Sequence, residues 1–274
     1  MTTDPGEKTS ELLASLESAR VIDLEQPRFA GMPMFPANAP NFAFMLHRRH
    51  ERGLEKRTSA AGMILTADHA GTHVDAFCHQ AEDMQMLGGI AVDASNQGPS
   101  GMGVMTAEGI PPIIRRGVLI DLAGSGRLPA KSLVQAETLE SAAAEQGVTV
   151  RPGDVLLVRT GWGSSWSDTE GYIAAGGMAR SSAEWAAAKG VYAVGADNMS
   201  WDVPGYTDPD LGHTLPCHSI LLVHAGIYIF ENLFLDELGA AGVSEFVFVS
   251  LPLKLVGATG SPTRPVAIVV QADE

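Results

Sequence analysis

Cysteine occurs only twice in 274 residues, at Cys78 and Cys217, which excludes a disulfide framework and fits a reducing compartment. Basic residues are scarce as well. Eighteen Lys and Arg stand against 32 Asp and Glu, for a formal charge of -14, and a surface of that sign repels phosphates instead of releasing counterions on meeting them. Nucleic acid is thereby excluded as a partner. No uninterrupted apolar run approaches the roughly 18 residues that span a bilayer, and the opening "MTTDPGEKTSELLASLES" has no basic region ahead of an apolar one. The expectation is a soluble, cytoplasmic protein without membrane attachment. Phosphate loops and dinucleotide fingerprints are missing: "GSGR" at 124–127 is a short turn with no helical pattern after it. No internal repeat, low-complexity tract or linker divides the chain, so one domain over 1–274 is expected, with 45% hydrophobic residues to fill its core.

Leu12, Leu13 and Leu16 recur at helical spacing after a polar start, which predicts a short N-terminal helix at about 8–18, packed at an edge. "ARVIDLEQ" reads as a strand. "PRFAGMPMFPANAPNFAF" carries four prolines and no helical period, so it runs as an irregular loop suited to lining a pocket. "GMILTA", "GVLIDLA", "DVLLVRTG", "VYAVGADN", "EFVFVSLP" and "VAIVVQ" are short apolar runs bounded by turn residues, the pattern of strands buried on both faces. Between them "SLVQAETLESAAAEQG", "MARSSAEWAAAKG" and "HSILLVHAG" read as helices. Strands and helices alternate without a strict βαβ repeat, which predicts an α/β class fold, a mixed sheet with helices packed on it.

Three of the eight histidines crowd into "TADHAGTHVDAFCHQ", residues 66–80. His69, His73, Asp75 and His79 lie at offsets 0, 4, 6 and 10, all even, which puts them on one face of an extended chain. A continuous helix cannot gather them, because Asp75 would point far round the barrel. A straight strand also fails: at about 3.3 Å per residue, His69 and Asp75 would be some 20 Å apart. The chain must curl, and Gly71 supplies the freedom to do so. Two imidazoles and a carboxylate suit Zn²⁺ or Mn²⁺ with positions open for water and substrate. Cys78, at an odd offset, faces away as a small buried hydrophobe.

A second constellation, "GHTLPCHSILLVHAGIYIFENLFLDEL", carries His213, His218, His224 and Glu231 in an apolar matrix. There an unpaired charge on His218 or Glu231 would be expensive, and a metal would satisfy both. A helix-capping Glu231 with a hydrogen-bonded core His218 is the competing account. His213 and His224 are read as ordinary loop and helix-surface residues. Asp197, in "VGADN", follows a strand and is placed either to orient a ligand histidine or to form a turn.

"HAGTHVDAFCH" resembles the H-x-G-T-H-x-D-x-P-x-H signature of the metal-dependent cyclase-like hydrolases, which include kynurenine formamidase and isatin hydrolase. "VIDLEQP", "GVLIDL", "DVLLVRTGWG", "VGADNMSWD" and "HSILLVHAGIYIFENL" extend the likeness through most of the chain. The resemblance implies a swivelling β/β/α fold, a homodimer or homotetramer, His69, His73 and Asp75 as metal ligands, and His79 as general base or acid. It further implies a second metal shared by Asp75 with His218 and Glu231, or a single manganese, so one or two ions. Phe77 stands where the signature has Pro, which points to a different pocket wall.

The resulting expectation is metal-assisted hydrolysis of a C–N bond in an amide, formamide or cyclic imide or lactam-like small molecule, with His79 moving the proton. Phe77, Trp162 and Trp201 are the candidate substrate-binding aromatics. A cyclase or lyase working through an enolate, and a non-catalytic small-molecule-binding relative, are the alternatives.

Overall fold

A computed structural model describes residues 5–270 apart from 39 and 54. Helix α1 (Pro5–Glu17) matches the expected N-terminal helix to within a turn, but Leu12, Leu13 and Leu16 stay exposed instead of packing at an edge. The strands of three or more residues that follow are β1 (Arg20–Asp23), β2 (Ala43–Arg48), β3 (Ala61–Leu65), β4 (His73–Asp75), β5 (Ile113–Asp121), β6 (Val155–Arg159), β7 (Ala193–Ala196), β8 (Tyr228–Glu231), β9 (Glu245–Ser250), β10 (Gly260–Pro262) and β11 (Val266–Val269). Nine of them form one mixed sheet in the order β1-β11-β9-β5-β6-β7-β8-β4-β10.

At its centre β5, β6, β7 and β8 run parallel, and antiparallel strands flank them on both sides. β6 and β7 are buried at every position, as their unbroken apolar runs require. The strand period of two then sorts the core. Val118, Ile120, Leu156 and Val158 point to one face, where they meet helices α2 (Ala136–Glu145) and α3 (Arg180–Lys189). Leu119 and Leu157 point to the other, where they meet Phe230, Phe246 and Phe248. The mixed α/β sheet expected from the sequence is therefore present.

Burial on both faces fails for two of the runs: "EFVFVSLP" forms β9 with alternate residues buried and exposed, and the second departs further. "GMILTA" does not form a strand buried on both faces; β3 pairs only with β2, and the two make a separate ribbon whose residues are largely exposed. An apolar run reports that a strand forms, not what will cover it. "HSILLVHAG" becomes a short helix Pro216–His218 that widens into a π-type segment, Ser219–Ala225, and stops at Gly226 in the left-handed region. No helix among the described residues is long and apolar enough to cross a membrane.

Candidate metal centre

The histidine-rich turn sits beside the carboxyl ends of the parallel strands, where open α/β sheets commonly hold their ligands. β6 leads into Thr160, β7 into Asp197, and β8 ends on Glu231. β4 pairs antiparallel with β8, with His73 directly opposite Glu231, and on its other edge Asp75 is opposite Gly260 of β10. The curl before β4 turns on Gly71, at φ +65°. A side chain there is barred twice over, since a Cβ would also fall 2.8 Å from the Arg28 guanidinium, which donates to the Ala70 and Thr72 carbonyls from behind the turn. On the opposite side a Cβ on Gly260 would lie 2.6 Å from the His69 ring. The ring thus occupies space that only glycine leaves.

His69, His73 and Asp75 each bring a donor atom within 4.8 Å of the others, and Asp75, His79 and His218 do the same. His69 Nδ1 lies 2.8 Å from Asp75 Oδ1, and His73 Nε2 lies 3.3 Å from both Asp75 Oδ1 and Glu231 Oε2. His218 Nε2 is 3.1 Å from Glu231 Oε1 and 3.6 Å from Asp75 Oδ2. These approaches lack the alignment of hydrogen bonds at the Asp75 end: His73 Nε2 and both Asp75 oxygens are buried with no hydrogen-bond partner among the described residues. Orphaned buried polar atoms of this kind are costly, and their convergence on one point is what a cation would satisfy. The donor set, imidazole nitrogens and carboxylate oxygens, fits a divalent metal.

The outer nitrogens are held as ligand histidines require. His73 Nδ1 donates to the Gly71 carbonyl at 2.8 Å, and His218 Nδ1 meets Asp202 Oδ2 at 2.7 Å. His69 Nε2 contacts Thr259 Oγ1 at 2.8 Å, and that hydroxyl in turn donates to Asp68 Oδ2. Asn232 Nδ2 donates to the same Gly71 carbonyl, and Thr72 Oγ1 donates back to the Asn232 carbonyl. The turn and the end of β8 are therefore stitched together.

Charge explains the titration of the group. Burial alone would lower His73, but the Asp75 and Glu231 carboxylates that face its Nε2 outweigh it and push its pKa up to about 10. His218 is likewise depressed by burial and lifted well above the ordinary imidazole range by Asp202 and Glu231. Burial would raise Asp75; the imidazoles around it, His79 foremost and then His69 and His73, hold it well below the usual carboxylate range. Glu231 is raised by burial and by Asp75, yet His218 and His73 bring it down overall. The buried Asp75 and Glu231 carboxylates thus favour positive charge on the imidazoles beside them, and a divalent cation is an alternative source of that charge.

His79 differs from these. It is partly exposed and its ring lies 3.9 Å from that of His69. Burial, then the neighbouring His69 imidazole, pushes its pKa down to about 3 against the opposing pull of Asp75. At neutral pH it is uncharged and able to accept a proton.

Other sequence candidates lie elsewhere. Asp197 orients no histidine: its carboxylate accepts from Thr160 N and Oγ1, both at 2.6 Å, and from Gly161 N and Gly163 N, so it builds the turn after β6. Asp202, five residues on, holds His218 instead. Asn198 shapes the intervening turn by accepting from Trp201 N and donating to the Trp201 and Asp202 carbonyls. Trp201 is fully buried in the helix-side core, and Phe77, partly exposed, stacks 4.2 Å from the Tyr228 ring and packs against both core clusters. Trp162, also buried, belongs to a third apolar cluster with Met32, Ala70, Trp166, Tyr172 and Met199, and donates its indole N–H to the Leu128 carbonyl. Ala70 ties that cluster to the His69–Gly71 turn. His213 and His224 both face Glu82, away from the centre, at 4.0 and 2.6 Å.

Comparison with known proteins supplies the family. A family model described as "Putative cyclase" matches residues 22–203. The chain belongs to the cyclase family. This cyclase-family chain is 26% identical over 238 residues to the kynurenine formamidase of Erythrobacter litoralis, covering 86% of the chain and 88% of that protein. It is 26% identical over 255 residues to the kynurenine formamidase of Sphingopyxis alaskensis, covering 90% and 97%. Among solved structures, a novel cyclase at 26% identity superposes with a TM-score of 0.81 over 99% of this chain and 92% of that one. Isatin hydrolase A from Ralstonia solanacearum, at 21% identity, shares the fold with a TM-score of 0.74 over 98% and 99%. Kynurenine formamidase is the name that both of these sequence relatives carry.

Proposed function

We propose that this cyclase-family chain hydrolyses the C–N bond of an N-formyl arylamine or a small cyclic amide, with His69, His73 and Asp75 holding a zinc or manganese ion. The observation that carries this reading is the convergence of buried, unpartnered donors at His73 and Asp75. Asp75, His218 and Glu231 are the residues for a second ion. A divalent ion bound there supplies Lewis-acid chemistry, polarising a carbonyl and bringing the pKa of water toward neutrality. His79 takes one proton from the attacking water as the C–O bond forms and delivers one to the nitrogen as the C–N bond breaks. Incubation with formanilides and cyclic imides tests the reading: metal-dependent formate release or ring opening is expected. Inactivity across that panel, together with exchange of a proton α to a carbonyl, would favour the lyase alternative.

Three further outcomes follow. Metal affinity is expected to rise with pH, about tenfold per unit for each proton displaced. His73 keeps its Nε2 proton up to about pH 10 in the metal-free protein, so the rise should continue through pH 7–9. Competition with a chromophoric chelator at three pH values measures it, and a flat profile contradicts it. Asp202→Asn should weaken metal binding roughly 10–100-fold, the usual effect of losing the group behind a ligand histidine; unchanged affinity would remove Asp202 from that role. Tyr172 is fully buried and its hydroxyl has no hydrogen-bond partner among the described residues. Burial, then the charges of Asp197 and Glu231, keeps that phenol well above its ordinary pKa, a protonated donor. Tyr172→Phe should leave the melting temperature unchanged or raised, yet lower kcat/KM by about 10-fold or more if the hydroxyl meets the substrate.

A further inference from the structure

A carboxylate flanked by two imidazoles stands outside the centre and takes no part in the chemistry above. His224 Nε2 lies 2.6 Å from Glu82 Oε2, and His213 Nε2 lies 4.0 Å from Glu82 Oε1. The His213 tautomer is fixed: its Nδ1 is 2.9 Å from the Thr214 carbonyl, which can only accept, so in the neutral ring Nε2 presents a lone pair. That nitrogen is buried with no hydrogen-bond partner among the described residues. A buried lone pair facing a carboxylate oxygen is unfavourable unless positive charge lies between them. Four ångströms is too long for a hydrogen bond. It is close to the roughly 3.4 Å that separates two donors on a tetrahedral zinc ion with bonds near 2.1 Å.

The segments that present these groups are firmly built. Glu82 and Gln85 exchange both backbone hydrogen bonds, at 2.9 Å each, across a turn whose central residues Asp83 and Met84 are both left-handed, at φ 48° and 60°. That turn suits Asn and Gly; a methionine there is strained, and such strain gathers at ligand clamps. The His213 loop is closed by Asp208, which accepts from Asp210 N and Leu211 N, and Arg180 pairs with Asp208 and Asp210 from outside. Glu82, Asp83 and His224 line one cavity of about 320 Å³, which leaves room for water on an ion.

We propose that Glu82, His213 and His224 form a second divalent-cation site, of the zinc type, separate from the centre. Two imidazoles and one carboxylate with an open position are an established zinc donor set. No set outside the centre among the described residues has three donors within 4.8 Å of one another, so the trio must close on the ion. That movement falls to His224, whose side chain is 61% exposed. Glu82 lies three residues after His79, and His213 five before His218. An ion here therefore ties together the segments that lead to two residues of the centre, whether or not the centre hydrolyses amides.

Equilibrium dialysis of the full chain against zinc chloride, read by metal analysis, tests the site. The wild type should hold about one equivalent more than Glu82→Gln or His224→Ala, and both variants should keep the ions of the centre and the wild-type melting temperature in the absence of added zinc. Added zinc should raise hydrogen-exchange protection over 80–86 and 207–214 in the wild type and not in His224→Ala. Equal zinc content in all three proteins, or exchange over those segments that ignores zinc, would overturn the proposal. Loss of the centre's ions along with the extra one would also overturn it, by making Glu82 and His224 supports of the centre.

Discussion

Replacing His73 with alanine is expected to abolish turnover and to strip the protein of its metal. The imidazole is buried, its Nε2 stands 3.3 Å from both Asp75 and Glu231, and its Nδ1 is committed to the Gly71 carbonyl, leaving Nε2 as the only nitrogen able to ligate. Metal assistance amounts to several kcal/mol of transition-state stabilisation, so the rate should fall by about 10³-fold or more. Stability should fall too. Removing one partner from a buried ionic cluster strands the others at a cost of roughly 3–5 kcal/mol, and here the stranded groups are the Asp75 and Glu231 carboxylates. Metal analysis, thermal unfolding and turnover on a formanilide measure the three effects. A variant that keeps both its ion and its rate would disprove the assignment.

His79→Ala should separate rate from binding. Loss of a positioned general base typically costs 10²–10⁴-fold, and the variant should retain its metal, because His69, His73 and Asp75 do not depend on it. Its partly exposed position gives added imidazole access to the vacated space, so partial rescue is expected. The contrary result is well defined. His79 shares a 4.8 Å cluster with Asp75 and His218, and metal loss in proportion to rate loss would make it a ligand.

Much of this geometry was legible because it is local. Even offsets and a glycine turn are properties of seven consecutive residues, 69–75, and the backbone realises them directly: Gly71 at positive φ, His73 and Asp75 two apart on β4. The apolar runs at β5, β6 and β7 were legible for the same reason. Asp202 was not. It lies sixteen residues from His218, and only the Asn198-built turn aims it. Asp197, a closer match to a post-strand acid, spends its carboxylate on the 160–163 turn, whose four donors no sequence spacing announces. Thr259 and Asp68 reach the centre through tertiary packing alone. The packing of Trp201 in the helix-side core and of Phe77 against both core clusters is tertiary as well, and sequence proximity to the site does not announce it.

β4 is three residues long, and its period of two divides labour within it. His73 and Asp75 project into the centre, and Val74 between them is fully buried in the main core beside Ala76 and Phe230. Both neighbours of the strand are fixed in register, Glu231 opposite His73 and Gly260 opposite Asp75. A one-residue insertion between 71 and 73 would therefore exchange the faces, sending two polar side chains into the core and a valine toward the metal. The length of this stretch is therefore constrained as tightly as its ligand residues, because the spacing that would hold an ion and the spacing that closes the sheet are one constraint.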